Sequence, residues 1–145
     1  MKNLLVALSL SLAACGGAAT QVEMKGKDAD LASLAGDWEG SYTGIETGRS
    51  GPVSFSLQLS RHTADGTVLL GGDTPLKVAF VAVEGGQVSG KMDPYTDLTC
   101  TCEVQTEFVG TQVGDAITGS FTTTVVGAAD KQMHGEWSVT RKPGA

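Results

Sequence analysis

Val53-Ser54-Phe55-Ser56-Leu57-Gln58-Leu59-Ser60 alternates apolar and polar side chains without a break. In an extended chain successive side chains point to opposite faces, so this stretch reads as a strand, at about 52–61, with one buried and one wet face. The same period of two continues on both sides of it. Upstream, a strand at about 37–43 carries Trp38, Gly40 and Tyr42 on one face. Downstream, strands are expected at about 67–71, 76–83, 87–92, 99–112, 116–126 and 132–141, bounded by Gly, Asp and Pro. The 76–83 strand is apolar on both faces, with Leu76, Val78 and Phe80 opposed to Ala79, Val81 and Val83. Cys100, Cys102, Val104 and Phe108 share a face of the 99–112 strand; Ile117, Phe121 and Val125 share one on the next. The last presents Met133, Trp137, Val139 and Arg141. Helix is limited to a turn or so at Asp30-Leu31-Ala32-Ser33-Leu34, with Asp30 as N-cap.

The links order these strands. Asp65-Gly66, Gly85-Gly86 and Gly114-Asp115 are two-residue hairpin signals, because type I′ and II′ turns need a positive φ that Gly tolerates. Between them come longer links at 44–51, 72–75, 93–98 and 127–131. In an up-and-down meander, tight and long links that alternate lie at opposite ends. The expected fold is therefore all-β: an eight-stranded antiparallel barrel with a closed base and an open mouth, or alternatively an antiparallel β-sandwich.

The amino terminus has a different character. Met1-Lys2-Asn3 supplies a small positive region, Leu4–Leu12 is mostly Leu, Val, Ala and Ser, and Leu12-Ala13-Ala14-Cys15 follows. The apolar run is too short to span a bilayer, which takes roughly 20 residues, and reads as an export signal. The last four residues resemble the lipobox of bacterial lipoproteins. The resemblance implies removal of residues 1–14, acylation of Cys15, and attachment to a membrane through the acyl chains. The competing reading is an ordinary signal peptide with an incidental Cys. Gly16 rather than Asp after the Cys resembles Gram-negative sorting patterns that direct such proteins to the outer membrane, here facing the periplasm. Residues 15–30 read as the lipidated end and a flexible tether entering the barrel at its base, and 31–142 as the barrel domain.

Loss of residues 1–14 leaves 131, enough for one domain with a real core. Nine basic residues then face sixteen acidic ones, a net charge of about −7. This excludes nucleic acid as a natural partner and electrostatic docking on anionic lipid as the means of attachment.

Gly36-Asp37-Trp38 on the first strand resembles the Gly-x-Trp of the lipocalin and avidin-like barrels, the calycin group. In lipocalins an Arg near the end of the last strand packs over that Trp. Arg141 stands at the matching place, so the resemblance implies that Trp38 and Arg141 close the base. The chain ends too soon for the C-terminal helix of lipocalins. With only two Trp it lacks an evident biotin-binding box.

Few residues are candidates for chemistry. Cys100 and Cys102 lie on one strand face, near the mouth, in an oxidising compartment. They form a disulfide with each other, remain free or pair between molecules, or join Met92 and His134, with Met133 nearby, around a soft metal. Glu46, Asp73, Asp93, Asp97 and Asp130 gather on the long links, with Arg49 and Tyr95 beside them, as candidate ligand-binding residues at the mouth. The plain alternative is that loops of an acidic protein are acidic. His62 and His134 are the only histidines, and no Gly-x-Ser-x-Gly elbow, phosphate loop or metallohydrolase His pair is present. Neither an enzyme nor a cofactor is expected. The leading reading is a lipid-anchored barrel that binds a small ligand or an envelope protein. The alternatives are a solid barrel working through its surface, protease inhibition by analogy, or thiolate metal binding. Phe55, Leu57, Phe80, Phe108, Phe121 and Trp137 fill the solid version; Ala79, Val81 and Val83 give it an apolar outer strip.

Overall fold

A computed structural model describes residues 20–144. The expected signal segment and Cys15, the expected lipidation residue, lie outside them. The chain runs β1 (Thr20–Lys25), α1 (Asp28–Leu34), β2 (Gly36–Gly44), β3 (Ser50–Leu57), β4 (Thr63–Leu70) and β5 (Thr74–Leu76). It continues through β6 (Val78–Glu84), β7 (Gln87–Met92), β8 (Tyr95–Thr96), β9 (Glu103–Val113), β10 (Ala116–Val125) and β11 (Ala128–Arg141). Nine of these strands form the wall in the order β1-β6-β7-β9-β10-β11-β2-β3-β4, and β4 pairs again with β1 to close it. The wall is a closed barrel, not a sandwich. It is mixed, because β1 runs parallel to β6 and antiparallel to β4.

The ninth strand comes from the stretch expected to be tether. Thr20-Gln21-Val22-Glu23-Met24-Lys25 alternates like the other strands: Val22 and Met24 are buried and the residues between them exposed. The 76–83 strand explains why a ninth is needed. It begins as β5, paired with β4 through Val68↔Leu76 and Leu70↔Thr74, then leaves β4 at Lys77 and continues as β6 beside β7. That divergence frees the edges of β4 and β6, whose N–H and C=O groups would otherwise be unpaired. β1 fills the gap, with Val22 opposite Ala64 and Met24 opposite Val81.

Three turn and face expectations change. Asp65-Gly66 is not a hairpin turn but part of β4, paired with Ser56 and Phe55; the chain turns at 58–62, where Ser60 has φ 64°. Starting β4 at Thr63 gives β1 a partner. The β10–β11 link is short, Val126-Gly127, because Val125 already pairs with Ala128. A register shift between Val78 and Phe80 turns Val81 and Val83 inward and Phe80 outward, where Lys25 Nζ lies 4.2 Å from its ring centre. Phe80 therefore does not fill the lumen, and Val81 and Val83 are not an outer strip.

α1 plugs the base. It starts two residues earlier than expected, and Asp30 is not its N-cap: its carboxylate accepts the Gly85 amide instead. Leu31 and Leu34 are buried, and Leu34 faces the lumen. The Trp38 indole donates to Leu34 O at 2.9 Å. Arg141 Cζ sits 4.4 Å from the centre of the Trp38 ring, and its nitrogens reach the carbonyls of Ser33 and Ala35 and the Asp115 carboxylate. A cation thereby meets the carbonyl end of a helix that has no basic residue in its own last turn.

Candidate functional site in the barrel interior

The inward faces enclose an almost wholly apolar cavity of about 120 Å³. Val22, Phe55, Val68, Val81, Phe108 and Phe121 are among the residues lining it. An apolar cavity of about 150 Å³ in another protein stays dry and admits benzene; this one, somewhat smaller, is on the scale of a single small ring. It is smaller than the ~300–1,000 Å³ of ordinary ligand pockets.

Aromatic side chains expected to fill the lumen instead lie along its wall. Phe108 rests over Gly90 and Phe121 over Gly135, where any β-carbon would overlap the ring. The rings then lean edge-on against neighbours: Phe108 on Trp137 and Tyr42 on Phe121, with centroids 5.9 Å apart in both pairs. Glycine on one strand thus makes room for an aromatic on the next, and the centre stays open.

Few polar groups reach this interior. The Tyr42 hydroxyl donates to Leu69 O at 2.7 Å and accepts the Gly71 amide at 3.1 Å. Burial pushes its phenol above the ordinary value, against the opposing Gly71 hydrogen bond. Tyr95, Thr106 and Thr123 form a hydroxyl chain, with links of 2.8 and 2.7 Å. Thr106 and Thr123 are buried. The sequence reading missed both threonines, although each shares strand parity with an inward Phe two residues away.

The 93–102 segment leaves β7, pairs briefly with β9 through β8, and reaches the β2–β3 loop and the β4–β5 turn. Asp97 Oδ2 receives Arg49 Nη1 at 2.9 Å, while Leu98 packs at Gly71. Asp97, 2 % exposed, organises the loop. Its Oδ1 accepts the Thr99 and Cys100 amides, and its backbone carbonyl accepts the Thr101 amide. Cys100 and Cys102 are in this loop and not on a strand, and they are joined as a disulfide. Tyr95 belongs to the same strap and lines the cavity.

The other mouth candidates do not converge. Glu46 pairs with His134 at 2.8 Å, Asp93 with Lys77 at 3.7 Å, and Asp73 contacts Thr74. Asp130 is exposed on β11. Glu46 is held below the usual carboxylate range chiefly by the His134 amide, then by the His134 ring. Met92 lines the cavity, far in role from His134 and the disulfide. Among the described residues no three His, Cys, Asp or Glu form a metal-binding group.

Burial pushes the Asp97 carboxyl up, but the Thr99 amide, Arg49 and the Cys100 amide outweigh it and hold it below its ordinary value. A lowered folded-state value means that this stabilisation is complete above the ordinary carboxylate value of about 3.9 and is lost as pH falls through the lowered one. Acidification below that value should therefore release the strap. Asp97→Asn should release it at neutral pH. A charge-assisted hydrogen bond is worth about 1.5–3 kcal/mol, so opening should rise about tenfold or more. Hydrogen exchange of the 93–102 peptide checks both. Unchanged protection in the variant would mean that the ion pair does not hold the strap.

Compared with protein-family models, with curated proteins and with solved structures, the chain matches none of them.

Proposed function

We propose that this chain is a lipid-anchored, calycin-like barrel of the cell envelope that binds a small, largely apolar molecule and does no chemistry. The observation that carries this reading is the apolar interior, held open by aromatics that lie on glycines and covered by a latched strap. Cys15 carries the acyl chains, in the outer membrane facing the periplasm. The anchor differs from a long tether at the base. β1 begins partway along the wall, opposite Gly66, and runs towards the base. Five residues from Cys15 to Thr20 reach at most about 18 Å, so the anchored barrel stays against its bilayer. A second reading, a barrel that works through its surface, draws support from Val109 and Val113, which are 56 % and 75 % exposed on the same outer face of β9.

Mass spectrometry of the protein extracted from its host's membranes tests the proposal. The denatured mass should correspond to a chain beginning at acylated Cys15, and the native spectrum should retain a small apolar adduct. Cys15→Ser should move essentially all of the protein into the soluble fraction. An unmodified Cys15, with the variant still on membranes after a carbonate wash, would refute the anchor. A native mass with no adduct, together with crosslinks from Val109 or Val113 to another envelope protein, would favour the second reading.

A further inference from the structure

The hydroxyl chain is incomplete. Tyr95, Thr106 and Thr123 carry three hydroxyl hydrogens, and two hydrogen bonds join their oxygens. One hydrogen therefore has no acceptor among the described residues. At Thr123 it would be sealed in the wall, because that side chain is buried and does not line the cavity. Tyr95 and Thr106 do line it. The arrangement that strands nothing in the wall has Thr123 donating to Thr106, leaving the spare hydrogen on Tyr95 or Thr106 at the cavity surface. On Thr106, which is buried, a donor without a partner costs about 1–3 kcal/mol.

We infer that the cavity holds a neutral molecule of about one ring in size, with a single acceptor oxygen that takes the spare hydroxyl hydrogen at Tyr95 and Thr106. This rests on the binding reading above and narrows it to a ligand class. The oxygen is that of a ketone, ester, ether or alcohol. A carboxylate is excluded by the surroundings. Arg49 and Lys77, the cations that reach the strap, are already paired with Asp97 and Asp93, and an unpaired charge in an apolar cavity is costly. A plain hydrocarbon fits the space but leaves the donor stranded.

Cyclohexanone and methylenecyclohexane have nearly the same shape and differ in whether an oxygen can accept. Each is titrated into the full-length protein, into the double variant Tyr95→Phe/Thr106→Val, which removes both hydroxyls that line the cavity, and into Tyr95→Phe/Thr106→Val/Thr123→Val, with chemical shifts of the lining methyl groups as the readout. Thermal melts confirm that each variant is folded. The triple variant, which replaces the whole hydroxyl chain by apolar groups of similar shape and so strands no donor, keeps the test readable if the double variant does not fold. The expected result is that cyclohexanone binds about threefold to tenfold more weakly to the variants, the range of one net hydrogen bond. Methylenecyclohexane should change by less than about twofold, since no apolar contact is lost. Cyclohexanone binding equally to all three proteins would overturn the ligand class and leave the binding reading standing. If neither compound shifts the lining methyl groups of the unaltered protein, the binding reading fails and this inference with it.

Discussion

Val22→Asp is expected to cost about 3–5 kcal/mol at neutral pH, the scale of an uncompensated buried charge. Small domains have only about 5–15 kcal/mol in hand, so much of the variant should be unfolded. Val22 is 3 % exposed and lines the cavity from β1. No cation is near enough in that lining to pair with a carboxylate. Glu23→Asp, one residue away and on the exposed face, should stay within about 0.5 kcal/mol of the unaltered protein. The contrast should ease in acid. Burial raises the folded-state value of a lone carboxyl, so the penalty is largest above the ordinary value of about 3.9 and shrinks below it. Urea midpoints at two pH values read both effects. Equal midpoints for the two variants at neutral pH would remove β1 from the wall.

Trp38→Ala is expected to cost about 3–5 kcal/mol, as for a fully buried aromatic truncated to methyl. Trp38 is 0 % exposed, stacks on Phe55 with centroids 5.7 Å apart, and holds Leu34 of the base plug. Arg141→Ala should cost less, about 1–2 kcal/mol, from the cation–π contact and the stem packing. Lys142→Ala should cost little, because its pairing with Glu39 lies on the exposed face. Trp38 and Arg141 touch, so the double variant should fall short of the sum by about 0.5–1 kcal/mol or more. Strict additivity in urea midpoints would mean that the Trp38–Arg141 contact contributes nothing beyond each residue's separate packing.

These two positions differ in how openly the sequence declares them. Gly36-Asp37-Trp38 and Arg141 stand out as residue types, and their strand parity sends both inward at the same pole. Val22 and Met24 are only two apolar residues, in a stretch whose Gly, Ala, Lys and Asp suggest a linker. Their strand exists because β4 and β6 separate and leave edges to be paired. Similarly, Asp65-Gly66 has the composition of a turn, but pairing with β1 and β3 draws it into β4.

The alternation of apolar and polar residues locates most of the wall strands, and Gly85-Gly86 and Gly114-Asp115 determine where two hairpins reverse. Both are local properties, since a side chain's face depends on its chain neighbours and a positive φ on the residue itself. Closure by β1, the outward turn of Phe80, and the meeting of Arg49 with Asp97 are tertiary decisions. So is the open lumen. Phe55, Phe108, Phe121 and Trp137 have volume enough to suggest a filled barrel. Whether a ring projects into the centre or lies on the wall depends on the residue beside it on the next strand. For Phe108 that residue is Gly90 and for Phe121 it is Gly135. Those pairings are matters of register between strands, which one-residue slips would reverse, and they exist only once the strands have docked.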